Sequence, residues 1–344
     1  MSISNENTLR IAIEAVAAAC SVTRAAQQAR EAFGSLTKDD RSPVTVADYA
    51  AQAIVAMTLQ ERLPDPREHA LIGEEDSGDL SSEEASLTRE GVLRLVKTYR
   101  PSADENAVLA AIDSGGHDGS GDSYWTLDPV DGTKGFLRGQ QFAIALAKIE
   151  NGEVQLGVMG CPGLPVDQAT ALDVPDPGGV IYAAMKGRGA WEFAGCDPDA
   201  EPMRISCDTW NASRPLRYCG SVEKAHGSVS DAARLIESLG GGERVAVDSQ
   251  CKYAIVARGQ SDAYLRMPKN AEYVEKIWDH GAGSIIAAEA GAVVSDIHGK
   301  SLDFGHGGLL KANSGVIVAV PGLHEQLISG IRELGLGPAS EGDN

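Results

Sequence analysis

The sequence is poor in aromatic residues, at 5% of its 344 positions, and has far less base than acid. Thirty Lys and Arg face 49 Asp and Glu, for a formal net charge of −19. Affinity for nucleic acid polymers comes from Lys and Arg neutralising phosphates, so this balance argues against that class and equally against docking to anionic membrane. Its six cysteines (Cys20, Cys161, Cys196, Cys207, Cys219, Cys251) show no CxxC or other zinc spacing and read as reduced, mostly buried thiols. No apolar run approaches the ~18 residues of a membrane span, and the N-terminus lacks the charged-then-apolar pattern of a signal peptide. A cytoplasmic monomer is expected. There is no Walker loop and no GxSxG elbow, and neither Gly240–Gly242 nor Gly305–Gly308 precedes the strand–helix arrangement of a dinucleotide site.

What is present is a hydrophobic fraction of 43%, enough for a sizeable core, in a length that suits two domains or two lobes. Periodicity predicts helices over 8–33 and 46–63. The second starts at a capping-box pattern, Thr45 with Asp48, and ends at Pro64 and Pro66. A strand over 70–72 enters Gly73-Glu74-Glu75-Asp76. Residues 61–122 hold 15 acids against 6 bases, so about half the excess charge sits there. With helices expected over 88–99 and 106–112 and a Gly/Ser/Asp loop over 115–123, the segment reads as an insertion on a compact scaffold, its loop without catalytic role.

A strand over 124–127 delivers Asp128-Pro129-Val130-Asp131-Gly132-Thr133. Strands over 142–149 and 154–159 flank Asn151-Gly152, a hairpin signal, and 180–184 with 190–193 suggest another hairpin. A Pro/Asp-rich break over 195–202 divides an N-terminal lobe, 1–200, from a C-terminal one, 201–344. In the latter, strands (216–219, 244–247, 263–266, 292–295) alternate with helices (230–239, 252–259, 279–289), as in α/β architecture.

The Asp128–Thr133 element brings two carboxylates three residues apart around a main-chain carbonyl, an arrangement of hard oxygen donors that suits Mg²⁺. Alone, such a turn is ordinarily a surface feature with Asp caps. Glu74 and Glu75 at a strand end, Asp48 near a helix start, and Asp279 before an Ala/Gly-rich helix are each ordinary singly. Together, four carboxylate clusters at strand ends and helix starts form the donor set of a multi-metal phosphoesterase.

Ser42-Pro-Val-Thr-Val-Ala-Asp48, Ile72-Gly-Glu-Glu75, Trp125-Thr-Leu-Asp-Pro-Val-Asp-Gly-Thr133 and Ile277-Trp-Asp-His-Gly-Ala-Gly283 resemble, in order and context, the motifs of the inositol monophosphatase superfamily, the lithium-sensitive Mg²⁺-dependent phosphatases. Within it the chain is similar to the 3′(2′),5′-bisphosphate nucleotidases. That similarity rests on Lys134-Gly-Phe-Leu-Arg138, on the long connection between Glu75 and Asp128, and on two segments of the second half. These are Gly220-Ser-Val-Glu-Lys-Ala-His226 and Asp248-Ser-Gln-Cys-Lys252-Tyr-Ala-Ile-Val-Ala-Arg258-Gly. Gly281 departs from the family pattern, which more often has Ala there.

The resemblance implies an α+β/αβ layered αβαβα sugar-phosphatase fold, with an antiparallel-sheet N-terminal lobe and an α/β C-terminal lobe. It implies two or three Mg²⁺ ions held by Glu74, Asp128, Asp131, Asp279 and the carbonyl of Val130. Asp48 and Thr133 would orient and activate the attacking water. The N–H groups of Gly132 and Thr133, with the helix start at Asp279, would grip the phosphate, and Glu223, His226, Ser249, Lys252 and Arg266 would contact a nucleotide bisphosphate. Glu75 would stand behind the ligands, and Lys134 and Arg138 would offset the carboxylates. The implied reaction removes the 3′-phosphate of adenosine 3′,5′-bisphosphate, giving AMP, and extends to the corresponding phosphosulfate. Alternatives are an inositol polyphosphate 1-phosphatase or dual-specificity phosphatase and, from another class, an inactive nucleotide-binding sensor.

Overall fold

The computed structural model describes residues 3–33, 42–83, 85–222, 229–268, 270 and 272–338. Two long helices open the chain, α1 (Ile3–Phe33) and α2 (Ser42–Arg62). They pack together and bury mostly small apolar residues, among them Ala12, Ala15 and Ala19 of α1 and Ala47, Ala50 and Ile54 of α2. Strand β1 (Leu71–Gly73) follows. The acidic insertion then places α3 (Ser86–Tyr99) and α4 (Glu105–Asp113) on α2.

Strand β2 (Ser123–Asp131) runs parallel to β1 and ends in a one-turn helix, α5 (Thr133–Leu137). Strands β3 (Ala143–Glu150), β4 (Glu153–Cys161), β5 (Val180–Met185), β6 (Gly189–Ala194) and β7 (Met203–Ile205) continue as an antiparallel meander, completing a seven-stranded sheet in sequence order. Asn151 and Gly152 join β3 to β4 with φ of 52° and 76°, the left-handed pair that the dipeptide signals.

The remainder alternates: β8 (Leu216–Gly220), α6 (Val229–Ser238), β9 (Gly242–Ala246), α7 (Cys251–Ala257), β10 (Ala263–Arg266), α8 (Gly281–Glu289), β11 (Val293–Ser295), β12 (Val316–Ala319) and α9 (His324–Glu333). Its strands form a second sheet in the order β11-β12-β10-β8-β9.

Three apolar interfaces stack these elements into five layers. One face of the first sheet packs on α1 and α2 through Trp125, Leu127, Leu146 and Val158. Its other face, with Ala143, Ala145 and Tyr182, meets α7 and α8, which in turn cover Tyr264, Val316 and Val318 of the second sheet. The far face of that sheet rests on α6 and α9 through Leu235, Leu327 and Ile331. The order is αβαβα. Gly283 allows the middle layer to close, because a Cβ there would lie 2.3 Å from the Tyr253 ring.

Several boundaries differ from the sequence expectation. Ser42-Pro43 starts α2 rather than preceding it, since proline is compatible with the first helical turn. Thr45 and Asp48 therefore lie inside the helix and form no capping box. Helix α8 begins at Gly281, so Asp279 precedes it. Strands β7 and β12 and helix α9 were not anticipated. β12 is a fully buried four-residue apolar run, without the alternation that marks a half-exposed strand.

Ile286 is fully buried in the middle layer, between two sheets that both depend on it. Ile286→Ala should cost about 2–5 kcal/mol, read as a lower chemical-denaturation midpoint; a change within error would show that the layer is not close-packed there.

Candidate functional site

Alternation along a regular strand would send Asp128 and Asp131 to opposite faces of the first sheet, because they are an odd number of residues apart. The pairing prevents this. Asp128 lies opposite Ala145, but Asp131 lies opposite Ala143, so the register shifts by one residue around Pro129 and Val130. Proline has no N–H to give the ladder, and the resulting bulge turns both carboxylates to the same side. Val130 is buried against the α1/α2 core. Gly132 then takes φ 92°, a conformation glycine adopts without strain, and starts α5.

The strand order brings the other acids to this spot. β1 lies beside β2, so Glu74 leaves the sheet next to Asp128, and the two carboxyl groups feel each other. Asp48 arrives from the second turn of α2 and is buried. The electrostatics are those of crowded anions. Burial, with Glu75 and Glu74 adding, holds the Asp48 carboxyl well above the usual carboxylate range. Asp128 is pushed up by burial and then by Glu74, Asp131, Asp279 and Asp48. Burial and neighbouring acids lift Glu74 to about 7. Asp131 is raised by burial and Asp279, while Lys252 and Arg266 pull it back. Glu75 adds to the charge felt by Asp48 and Glu74, while its own carboxyl is raised by burial, lowered by Tyr49 and raised by Asp76 and Asp79.

Asp279 comes from the opposite side. Arg266 Nη2 donates to Asp279 Oδ2 at 2.8 Å and also pairs with Glu275 at 2.7 Å. Behind them, fully buried His280 contacts the Tyr253 hydroxyl at 2.7 Å and Glu275 Oε2 at 3.2 Å. Burial alone would raise Glu275, but His280 and Arg266 outweigh it and bring the carboxyl down to about 2. The segment carrying Asp279 is thus braced by an ionised network. The expected grip of the α8 start on phosphate is not supported: the Gly281 N–H donates to the Ile277 carbonyl and that of Gly283 to Gln250 Oε1.

A cleft of about 460 Å³ opens from these acids and is lined by Asp131, Gly132, Thr133, Ser249, Lys252 and Arg266, among others. Asp279 also borders it. Asp48, Glu74, Asp128 and Val130 lie behind, outside its lining. Lys252 is buried, with its ammonium 5.3 Å from the Tyr264 ring centroid, and desolvation lowers its pKa. Ser249 has φ 62° and lies so close to Gly132 that a Cβ on the glycine would be 2.8 Å from that of the serine. Lys134 borders the cleft, while Arg138 pairs with Asp248 rather than with the carboxylate group. Arg258 is buried beside Glu192 and Tyr182, away from the cleft. Glu223 and His226 lie outside the described residues.

Two glutamines escaped the sequence reading. Gln52, one turn beyond Asp48, brackets the backbone of Glu75: its Nε2 donates to the Glu75 carbonyl at 2.6 Å and its Oε1 accepts from the Glu75 N–H at 3.1 Å. Gln250 contacts the segments of both Asp131 and Asp279. Neither belongs to a charged pattern, and no spacing rule would have singled them out.

The donor set fits a divalent cation. Among the described residues, Asp128 Oδ1 is buried with no hydrogen-bond partner, an expensive state for a carboxylate oxygen unless a cation meets it. Asp48, Glu74, Asp128, Asp131 and Asp279 offer carboxylate oxygens, the hard ligands that Mg²⁺ takes. Glu275, Asp279 and His280 also lie close enough together to share an ion, but Arg266 and the Tyr253–His280–Glu275 chain already engage them.

Comparison with known proteins agrees with this geometry. The sequence profile of the inositol monophosphatase family matches residues 4–336. The 3′(2′),5′-bisphosphate nucleotidase of Schizosaccharomyces pombe is 40% identical over 316 residues, covering 87% of this chain and 86% of that protein. The 3′,5′-bisphosphate nucleotidase 2 of Arabidopsis thaliana is 36% identical, covering 96% and 97%. Among solved structures, the inositol monophosphatase of Anabaena superposes with a TM-score of 0.59 at 20% identity, covering 96% of this chain and 97% of that one.

The crowded carboxylates predict an inverted pH response. A carboxyl with a folded-state pKa above its unfolded value keeps its proton longer when folded. Stability is therefore lost as pH rises from the ordinary 4.5 of Glu74 toward its folded value of about 7. Without divalent cation the melting temperature should fall by roughly 3–6 °C between about pH 5 and pH 7.5. Saturating Mg²⁺ should restore more of it at the higher pH. A flat or rising profile in the metal-free protein would contradict the cluster.

Proposed function

Because the chain belongs to the inositol monophosphatase family, we propose that it is a Mg²⁺-dependent phosphatase of nucleotide bisphosphates. It would remove the 3′-phosphate of adenosine 3′,5′-bisphosphate to give AMP and phosphate, and act likewise on the 3′-phosphoadenosine phosphosulfate. The observation that carries this reading is the juxtaposition of uncompensated carboxylates, with the unpartnered Asp128 oxygen, and a cleft bearing Lys252 and Arg266. The first holds cations, and the second receives a substrate with more than one anionic group. Relatives named bisphosphate nucleotidases, at 36–40% identity over most of the chain, support the nucleotide over other phosphate esters.

Glu74, Asp128, Asp131, Asp279 and the Val130 carbonyl would hold two or three Mg²⁺. When bound, the ions neutralise phosphoryl oxygens and lower the pKa of water at neutral pH. The protein's own groups do the rest. Asp48 and the Thr133 hydroxyl orient a water in line with the 3′ P–O bond, and Asp48 takes up the proton that the water gives off. The water oxygen bonds to phosphorus as that bond breaks, and the departing 3′ oxygen takes up a proton. Gly132 and Thr133 N–H groups face the scissile phosphate; Ser249, Lys252 and Arg266, together with Glu223 and His226, contact the nucleotide. We take lobes 1–200 and 201–344 to meet at this site, and the protein to act as a cytoplasmic monomer on small molecules.

Phosphate release from adenosine 3′,5′-bisphosphate and from inositol 1,4-bisphosphate, with Mg²⁺ and with EDTA, tests the proposal. The nucleotide should be preferred and EDTA should abolish turnover. Asp131→Asn should lower kcat by at least ~10²-fold, and Thr133→Ala should lower kcat more than it raises KM. Preference for the inositol would overturn the nucleotide assignment but not the metal site, and release from neither substrate would overturn both the reaction and the nucleotide assignment.

A further inference from the structure

Gln250 stands between Ser249 and Lys252, both assigned to substrate, and lines the cleft with them, yet its own polar groups are engaged within the protein. Its backbone N–H donates to Asp131 Oδ2 at 2.5 Å. Its side-chain Nε2 donates to the Trp278 carbonyl at 2.9 Å, and its Oε1 accepts from the Gly283 N–H at 3.2 Å. Trp278 and Gly283 bracket Asp279. The residue is 2% exposed. Ser249, in the left-handed conformation and packed against Gly132, immediately precedes it and places its N–H at the Asp131 carboxylate.

We infer that Gln250 is a positioning residue that fixes Asp131 relative to Asp279 and thereby sets the divalent-cation affinity of the site. This rests on the reading of those two carboxylates as ligands. Asp131 and Asp279 sit on different sheets' connections, far apart in the chain, and the Asp279 charge acts against that of Asp131. Without a tie, the repulsion would drive the segments apart whenever no cation bridges them.

An amide suits the tie because it offers a donor to a carbonyl and an acceptor to an N–H at once. A carboxylate would face the Trp278 carbonyl with a second acceptor, and a hydrocarbon would leave both backbone groups unpaired and buried. Held this way, the ligands keep their spacing without the ion, so less ordering is needed on binding. Side chains that orient ligands in this manner typically account for about 10–100-fold in metal affinity.

The test is isothermal titration of the full-length protein with MgCl₂. Gln250→Met, of equal length but without the amide, should weaken Mg²⁺ binding about 10–100-fold. At saturating Mg²⁺, its KM for the nucleotide should stay within about threefold of wild type, since no Gln250 side-chain atom is assigned to substrate. A folded variant whose Mg²⁺ dissociation constant lies within about twofold of wild type would overturn the inference, even with a lower melting temperature, which would mark a packing role only. If that variant does not fold, Gln250→Asn, which keeps the amide but shortens its reach, is read by the same criteria. Wild-type protein that binds Mg²⁺ but releases no phosphate would sink the proposed reaction while leaving this inference standing. Wild-type protein that binds no Mg²⁺ would overturn both.

Discussion

Like charges held close together out of water are the constraint around which this molecule is built. Asp48, Glu74, Asp128 and Asp131 all have carboxyl groups pushed upward, chiefly by burial and then by neighbouring acids. Such a cluster cannot form from one flexible segment, because repulsion would open it. It survives because the acids hang from separate rigid elements: Asp48 from α2, Glu74 from the end of β1, Asp128 and Asp131 from the bulged end of β2, and Asp279 from the turn before α8. Lys252 and Arg266, the cations that act on Asp131, are fewer than the acids, and that shortfall suits the site to divalent ions.

The five layers provide the rigidity. Core packing on both faces of the first sheet fixes the β1 and β2 ends, and the α7/α8 layer carries Gln250 and Asp279 to them from the other sheet. The Tyr253–His280–Glu275–Arg266 chain braces the Asp279 segment, so the acid most distant in sequence is also the one with the most elaborate support. Stability is sacrificed at this one place, where the fold contains a repulsion that a bound cation would relieve.

Much of this was legible beforehand. Asp128-Pro129-Val130-Asp131-Gly132-Thr133 announces a turn with converging oxygens, Asn151-Gly152 announces a hairpin, and the alternation after residue 216 announces an α/β layer. Local rules failed where the tertiary setting decided. Asp48 resembled a helix cap but lies a turn further in, buried against other acids. The α8 start looked like an anion site, yet its amides at Gly281 and Gly283 are engaged within the protein. Gln52 and Gln250 carry no charge and follow no spacing, so even the quoted Asp248–Lys252 segment gave Gln250 no role.

The sequence by itself determined which chemistry was available: hard oxygen donors in four short motifs, an acidic balance unsuited to polymeric nucleic acid, and glycines where the chain must turn. Only the tertiary structure decided which donors share one space and which polar side chains tie them together. The reason is that motif chemistry is local, residing in backbone conformations spanning a few residues. Carboxylate crowding, desolvation and the Gln250 bridge arise from contacts between elements far apart in the chain, and those exist only once the layers have packed.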